Sequence, residues 1–254
     1  MGERDRGPLV ASAAVSLTSL VAPVYRWATQ PVGTVRAVRT AQPRVVLTFD
    51  DGPDPEHTPR VLDALERHGA TATFFVLMTR VRRHPDLVRD LLDRGHEIGL
   101  HGLDHTRLTR LSPTEAGRRT AQGRDELQQH IQREVRWFRA PYGALLPGHW
   151  RAVRRTGLTP VNWGPTPADW RELPEEQLAA DGMRGCERGS IMLAHDATAG
   201  ADDGVPDDPP PPAIDRGKLT DLLLEGIAAR GWSSRTLGEV LADGHARRWG
   251  WFYR

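Results

Sequence analysis

The sequence predicts an α/β fold in which helices cover a parallel β-sheet. A polar amphipathic run ends in glycine four times, and a short apolar run rich in β-forming residues follows each glycine directly, at Gly69, Gly95, Gly157 and Gly231. Glycine ends a helix in the left-handed conformation without steric cost, so each joint predicts a helix followed by a strand. Repeated along most of the chain, this alternation favours a parallel sheet, either closed as a barrel or open and doubly wound.

The elements of this alternation can be placed along the chain by their periodicity. Seven strands are predicted at residues 45–49, 73–76, 97–100, 135–138, 159–163, 190–193 and 233–236. The intervening helical patterns cover residues 59–68, 85–94, 114–131, 147–156, 174–183, 218–230 and 237–246. A short hairpin is predicted at residues 33–44, ahead of the first core strand. The acidic, proline-rich residues 201–212 predict a stiff, exposed loop.

Composition limits the class of protein and of metal site. The 254 residues are 39% hydrophobic and 26% charged, which indicates one compact domain, placed at residues 33–254 with its core at about residues 45–236. A formal charge of +1 argues against nucleic acid as a partner, and nothing indicates an obligate protein partner. Cys186 is the single cysteine, so a metal must be held by histidines and carboxylates.

The N-terminal segment, residues 1–32, has two interpretations. Residues 9–25 are mostly small and apolar, but serine, threonine and proline interrupt them, and a membrane span needs about 20 apolar residues. A secretory signal would need a basic leader, whereas Arg4 and Arg6 are offset by Glu3 and Asp5. A signal or anchor and a helix packed on the domain both stay open. We favour the packed helix and a cytoplasmic or membrane-peripheral location.

Polar clusters follow five of the predicted strands. In either parallel architecture the active site lies beyond the carboxyl ends of the strands, where the variable loops converge. Each cluster alone has a structural explanation, such as a solvated turn, a surface histidine pair, an Arg139–Asp169 ion pair or a core histidine. Five such coincidences at one face are improbable, so we interpret the set as an active site. Its members are Asp50 and Asp51, His101 and His105, Arg139 and Tyr142, Asp169 and Trp170, and His195.

One carboxylate and two imidazoles provide three protein ligands and leave a position open for water, as in catalytic zinc sites. Asp51, His101 and His105 fit this pattern. Successive side chains near a strand end point in different directions, so Asp50 is free to act as a base. The same ligands suit a non-haem iron oxygenase, but a spare acid beside them favours hydrolysis.

With these residues in place, the chain resembles the polysaccharide deacetylase family, also called the NodB-homology or carbohydrate esterase 4 family. The motif TFDDGP at residues 48–53 resembles the first motif of that family letter for letter, and the other four clusters follow in the same order. The resemblance implies a distorted (β/α)7 barrel with its active site at the C-terminal ends of the strands. It also implies removal of N-acetyl groups from amino sugars of a polysaccharide, an oligosaccharide or a smaller glycoside.

The resemblance also assigns a role to each matching residue. Asp50 would be the catalytic base, and His195 would be the general acid that protonates the leaving amine. One divalent metal, zinc or a similar ion such as cobalt, would be bound by Asp51, His101 and His105.

Three supporting roles are implied as well. Arg139 would orient Asp50 and keep it ionised. Asp169 would interact with Arg139 and tune His195, and Tyr142 would lend its backbone N–H to an oxyanion hole. An apolar wall for the acetyl methyl and the sugar face would be formed by Trp170 and Leu193, with Trp163 either in that wall or in the core.

The sequence departs from the family pattern at two places. Gly102 stands where the family carries serine or threonine, which we expect to loosen the loop between the metal histidines. The turn at residues 164–167 lacks an acid found upstream of the Asp-Trp pair. Two alternatives stay open on the same scaffold: an O-acetyl esterase or non-sugar amide or imide hydrolase, and a barrel that binds glycan without turnover. The intact Asp50 and His195 argue against the non-catalytic barrel.

Overall fold

The computed structural model describes residues 33–208 and 210–250. The N-terminal segment, residues 1–32, and both interpretations of residues 9–25 lie outside the described residues. Within the described ranges, no helix has the length and apolar character that a membrane crossing requires.

The core of the fold is a parallel sheet that contains all seven predicted strands. These strands are β2 (Arg44–Asp50), β3 (Thr73–Leu77), β4 (Glu97–Gly102), β5 (Trp137–Phe138), β6 (Thr159–Pro160), β7 (Ile191–His195) and β8 (Ser233–Ser234), and they follow β1 (Thr34–Arg39). The strand order is β6-β5-β4-β3-β2-β7, with β8 beside the start of β2. The fold class predicted from the sequence is therefore confirmed.

The two edge strands of this sheet, β6 and β7, approach each other as in a distorted barrel. Beyond β6, the Gly164 N–H donates to the Ile191 carbonyl at 2.8 Å, and the Leu193 N–H donates to the Pro165 carbonyl at 3.1 Å. These two hydrogen bonds join the residues that follow β6 to β7, in place of a continuous ladder of strand pairing. These contacts agree with the expected distorted (β/α)7 barrel and argue against the open, doubly wound sheet.

Helices alternate with the strands. They are α1 (His57–Arg67), α2 (Met78–Arg83), α3 (Pro85–Asp93), α4 (Pro113–Ile131), α5 (Pro147–Arg155), α6 (Glu175–Met183), α7 (Arg216–Ala229) and α8 (Leu237–Ala242). All four glycine joints have positive φ, between 56° and 92°, as the helix-to-strand prediction requires. The sequence did not predict α2, because this six-residue helix follows β3 without a turn and buries only Met78 and Val81.

The predicted hairpin at residues 33–44 is wrong. β1 pairs in antiparallel fashion with β9 (His245–Trp249), the strand into which the chain turns after α8 ends at Ala242. The helix predicted for residues 237–246 is therefore too long. Val35 and Val38 of β1 are almost fully buried in an apolar cluster that also contains Ile191 of the barrel. This burial and the pairing with β9 decide the position of β1. Both depend on residues distant in sequence, so a local turn pattern does not predict them.

The two-residue period of the strands aims the catalytic candidates into the barrel. On β2, Val45, Leu47 and Phe49 belong to the large apolar cluster that the surrounding helices share. The alternate residues Thr48 and Asp50 therefore face inward. On β7, Met192 and Ala194 pack in the same outer cluster, and Leu193 and His195 face the interior. One pattern of alternating side chains thus builds the core and lines the cavity.

Candidate active site

Asp50 ends β2 and is held by a buried arginine. Arg139 donates from Nη1 to Asp50 Oδ1 at 2.7 Å and to Thr48 Oγ1 at 2.8 Å, and its guanidinium lies 4.1 Å from the centre of the Phe75 ring. Asp50 is 3% exposed and Arg139 is fully buried. A buried charge persists only when it is paired and hydrogen-bonded, so this ion pair holds the Asp50 carboxylate in one orientation.

Asp51 turns away from Asp50 towards two histidines. Its φ of 74° is unusual for a residue other than glycine, and such backbone geometry concentrates at functional sites. Asp51 Oδ1 lies 3.3 Å from the Nε2 atoms of both His101 and His105. The two neighbouring acids therefore have different partners, as the sequence predicts.

The geometry of this group suits a divalent cation. One ligand atom from each of Asp51, His101 and His105 lies within 4.8 Å of the others, and Asp51 Oδ1 is buried without a hydrogen-bond partner in the described chain. His101 Nδ1 lies 2.9 Å from the Arg139 carbonyl oxygen and donates to it, which leaves the Nε2 lone pair free. This donor set matches that of catalytic zinc sites.

The protonation states of these ligands agree with metal binding. Burial lowers the pKa of His105, which keeps the ring neutral. Burial alone would raise the pKa of Asp51, but His105 and His101 outweigh it and hold that pKa well below its ordinary value. A neutral imidazole and an ionised carboxylate are the forms that bind metal.

His195 ends β7 directly beside Asp50, because the parallel register of β2 and β7 pairs these two residues. Its Nδ1 lies 2.7 Å from Asp169 Oδ1, and its backbone N–H donates to Asp169 Oδ2 at 2.8 Å. The carboxylate fixes the ring and makes Nε2 the nitrogen available for proton transfer. Burial opposes the charge of the ring, but Asp169 outweighs burial and raises the pKa of His195 to about 9.

The expected contact between Asp169 and Arg139 is wrong. Asp169 Oδ2 accepts from Arg216 Nη1 at 3.2 Å, and the same Nη1 donates to the His195 carbonyl at 2.8 Å. Arg139 is already occupied by Asp50. A sequence signal could have indicated an anionic partner for Arg216. This residue starts α7, and the helix dipole disfavours a cation at a helix N-terminus unless an anion compensates it.

These groups line one cavity of about 440 Å³. Of the eleven residues predicted for the site, ten line it, and Arg139 lies behind Asp50. Trp163, Trp170 and Leu193, which were predicted for an apolar wall, are among the lining residues. Trp170 is 55% exposed, and its ring centre lies 5.9 Å from that of His195. An apolar cavity with a few convergent polar groups is the usual form of a small-molecule site.

Comparison with known proteins identifies the family. Residues 37–161 match the family model described as polysaccharide deacetylase. A chitooligosaccharide deacetylase of Bradyrhizobium sp. (strain ANU 289) is 35% identical over 153 residues, which cover 60% of this chain and 70% of the relative. The chain belongs to the polysaccharide deacetylase family.

Two further proteins extend the comparison within the deacetylase family. A peptidoglycan-N-acetylglucosamine deacetylase of Bacillus cereus is 34% identical over 154 residues, covering 60% of this chain and 72% of the relative. The structure of a family 4 acetyl xylan esterase from Clostridium thermocellum, in complex with a cobalt ion, is 31% identical with a TM-score of 0.67. That alignment covers 78% of this chain and 90% of the esterase chain.

The acidic, proline-rich loop at residues 201–212 is largely exposed, as predicted, but part of it also borders the cavity. Asp208, Pro210 and Pro212 line the cavity, and Asp203 is 1% exposed. Asp208 Oδ2 accepts from the Tyr142 hydroxyl at 2.6 Å. Asp203 and Asp208 are held by partners distant in sequence, Thr79, Arg80 and Tyr142, which composition does not reveal.

Tyr142 connects this loop to the candidate metal ligands. Its ring centre lies 4.4 Å from that of His105, and its backbone is left-handed with φ of 59°. Burial and the Asp208 carboxylate raise the pKa of Tyr142 well above its ordinary value, so its hydroxyl stays protonated and donates. The side chain of Tyr142 is thereby held, and the residue lines the cavity.

Two glycines of the deacetylase motifs are required by close packing. A Cβ at Gly52 would lie 2.0 Å from the carboxylate of Asp196, which is buried and accepts from Thr58 Oγ1 at 2.5 Å. A Cβ at Gly102 would lie 2.6 Å from the Asp104 carbonyl oxygen. Gly102 is buried within β4, so it permits a close approach of backbone and does not loosen the loop as expected.

Proposed function

We propose that this chain is a metal-dependent N-deacetylase that acts on amino sugars of a polysaccharide, an oligosaccharide or a smaller glycoside. One observation carries the proposal: Asp50 and His195 end adjacent strands in register, and both line the cavity that holds Asp51, His101 and His105. A base and an acid beside a metal group are the parts that amide hydrolysis requires. The names of the relatives, which specify chitooligosaccharide and peptidoglycan N-acetylglucosamine, support the substrate class.

We propose that Asp51, His101 and His105 hold one divalent cation, with zinc as the preferred ion and cobalt as a substitute. A bound cation would act as a Lewis acid on the acyl carbonyl. His101 is prepared for this role because its Nδ1 is engaged by the Arg139 carbonyl. Arg139 therefore orients the proposed base with its side chain and holds the proposed ligand His101 with its backbone carbonyl.

The proton transfers follow from the positions of the two candidate catalysts. Asp50, oriented by Arg139, removes a proton from the attacking water. The backbone N–H of Tyr142 donates to the oxygen that becomes negatively charged as the acyl carbon turns tetrahedral. His195 then gives its proton to the sugar nitrogen, since an amine leaves only when it is protonated. The products are acetate and the free amino sugar.

O-acetyl ester hydrolysis is the second candidate, favoured by the similarity to an acetyl xylan esterase. An alkoxide needs less help from an acid than an amine does. The raised pKa of His195 and its fixed contact with Asp169 therefore favour the amide. Trp170 and Leu193 would hold the acetyl methyl and the sugar face in either reaction.

Acetate release tests the substrate class directly. The purified chain should release acetate from chitin oligosaccharides or peptidoglycan fragments faster than from acetylated xylan, measured side by side at equal acetyl concentration. Preferential hydrolysis of acetylated xylan would support the esterase alternative. Turnover of none of the three, together with hydrolysis of non-sugar amides, would contradict the glycan assignment.

Removal of the metal is expected to abolish activity. Incubation with a chelator followed by gel filtration should leave an inactive protein, and stoichiometric Zn²⁺ or Co²⁺ should restore acetate release, because the cation supplies the Lewis acid. His101→Ala is the matched control and should not recover at the same metal concentration. Activity that resists the chelator would contradict the metal assignment.

Activity should depend on pH through the proton on His195. The acid is functional only when protonated, so kcat should fall as pH rises through the pKa of His195. Because Asp169 raises this pKa, Asp169→Asn should move the alkaline limb of the kcat profile to lower pH. Asp243→Asn, which disrupts only a surface ion pair with Arg44, serves as the control. An alkaline limb that does not move would refute the role of His195 as the acid.

A further inference from the structure

The short helix α2 lies against the loops that carry the proposed metal ligands. At its start, the Leu77 N–H donates to the Gly52 carbonyl at 3.1 Å, and the Thr79 N–H donates to the Leu103 carbonyl at 3.0 Å. Gly52 follows Asp51 directly, and Leu103 lies between His101 and His105. The backbone at this helix therefore joins the two segments that supply all three ligands.

Arg80 of α2 extends this connection to a third segment. Its Nη1 donates to Asp54 Oδ2 at 3.1 Å, on the turn after Asp51. Its Nη2 donates to the Thr198 carbonyl at 2.7 Å and to Asp203 Oδ2 at 2.8 Å, and Nε reaches the same Asp203 oxygen at 3.0 Å. The side chain is 11% exposed, so these bonds are formed largely away from water. Lysine has no planar fork that satisfies three acceptors in this way.

The segment at residues 198–203, here called the ligand loop, contacts two of the three proposed ligands through its backbone. The His105 N–H donates to the Asp203 carbonyl at 2.8 Å. The Ala199 N–H donates to Asp51 Oδ2 at 3.4 Å. Asp203 thus binds Arg80 with its side chain and His105 with its main chain.

We propose that Arg80 is a positioning residue of the metal site, acting through the ligand loop. It holds the Asp54 turn and the ligand loop at a fixed separation, and this fixes where Asp51 and His105 lie before a cation binds. Groups that orient metal ligands in this way contribute to metal affinity without touching the ion. The inference rests on the proposed function, since it requires that Asp51, His101 and His105 bind metal.

The fold is expected to tolerate the loss of Arg80. Asp203 keeps a hydrogen bond from Thr79 Oγ1 at 2.8 Å and an ion pair with Arg83, so its buried charge is not left without a cation. Arg80→Met keeps most of the aliphatic volume and removes all four hydrogen bonds. Arg82→Met is the matched control, because Arg82 lies on the same helix and forms an exposed ion pair with Glu126.

The test measures zinc affinity by competition with a chromophoric chelator, using the full chain. Arg80→Met and Asp203→Asn should each weaken zinc binding by about 10- to 100-fold. Arg82→Met should bind as the wild type does. Because the two residues act as one unit, the double variant should lose much less than the product of the single losses. At saturating zinc, kcat should recover and KM should stay unchanged, which a general loss of stability would not produce.

The outcomes separate this inference from the proposed function. If the wild type and Asp51→Ala bind zinc equally poorly, the metal assignment fails and the inference with it. If the wild type binds zinc tightly, Asp51→Ala does not, and Arg80→Met equals the wild type, only the role of Arg80 is overturned. Should Arg80→Met not fold, Arg80→Lys is measured in its place, and unchanged zinc affinity in that variant and in Asp203→Asn overturns the inference.

Discussion

Replacement of Asp50 by asparagine is expected to lower kcat on N-acetyl substrates by about 10²- to 10⁴-fold while zinc stays bound. Asparagine keeps the shape of the side chain and an oxygen that can accept from Arg139, but it cannot take a proton from water. The loss corresponds to about 3–5 kcal/mol in the activation free energy. The variant separates the proposed base from the proposed metal ligand next to it in sequence.

The measurement pairs acetate release with zinc content after dialysis. His101→Ala is the reference variant and should lose both activity and zinc, because it removes a ligand atom from the group at Asp51. Full activity in Asp50→Asn would exclude Asp50 as the base. Loss of zinc in Asp50→Asn would show that Asp50 and Asp51 both bind the metal. That result would contradict the structure, in which Asp50 contacts Arg139 and Asp51 contacts the two histidines.

Replacement of His195 by glutamine is expected to lower kcat on an N-acetyl substrate by about 10²- to 10⁴-fold and to have a far smaller effect on 4-nitrophenyl acetate. In the proposed mechanism the amine leaves only with the proton that His195 provides, whereas 4-nitrophenolate leaves without protonation. Glutamine keeps a hydrogen-bonding group beside Asp169, so the carboxylate retains a partner. The diagnostic quantity is the ratio of the two losses.

The two substrates are compared at the same pH and zinc concentration. His130→Gln, a histidine exposed on α4, is the control and should leave both rates unchanged. Equal losses on the amide and on the activated ester would contradict the acid role. They would indicate that His195 serves in binding or in the structure of the cavity.

Local sequence was sufficient for the alternation of strands and helices and for most of the polar residues that meet at the cavity. The four glycine joints, with their positive φ values, mark where helices give way to strands. The two-residue alternation along β2 places apolar residues outward and Thr48 and Asp50 inward. Because parallel strands end at one face, the polar clusters that follow them converge, and this convergence could be predicted from strand positions alone.

The tertiary structure decided which charged groups pair and how the loops are held. Asp169 binds Arg216, which is 47 residues away, and Arg80 binds Asp203, which is 123 residues away. β1 pairs with a strand from the other end of the described chain, although a local hairpin was predicted. Buried charges pair with the groups that the folded chain brings close to them. Residue type and spacing therefore determined the chemistry of this protein, and chain closure determined the contacts that orient it.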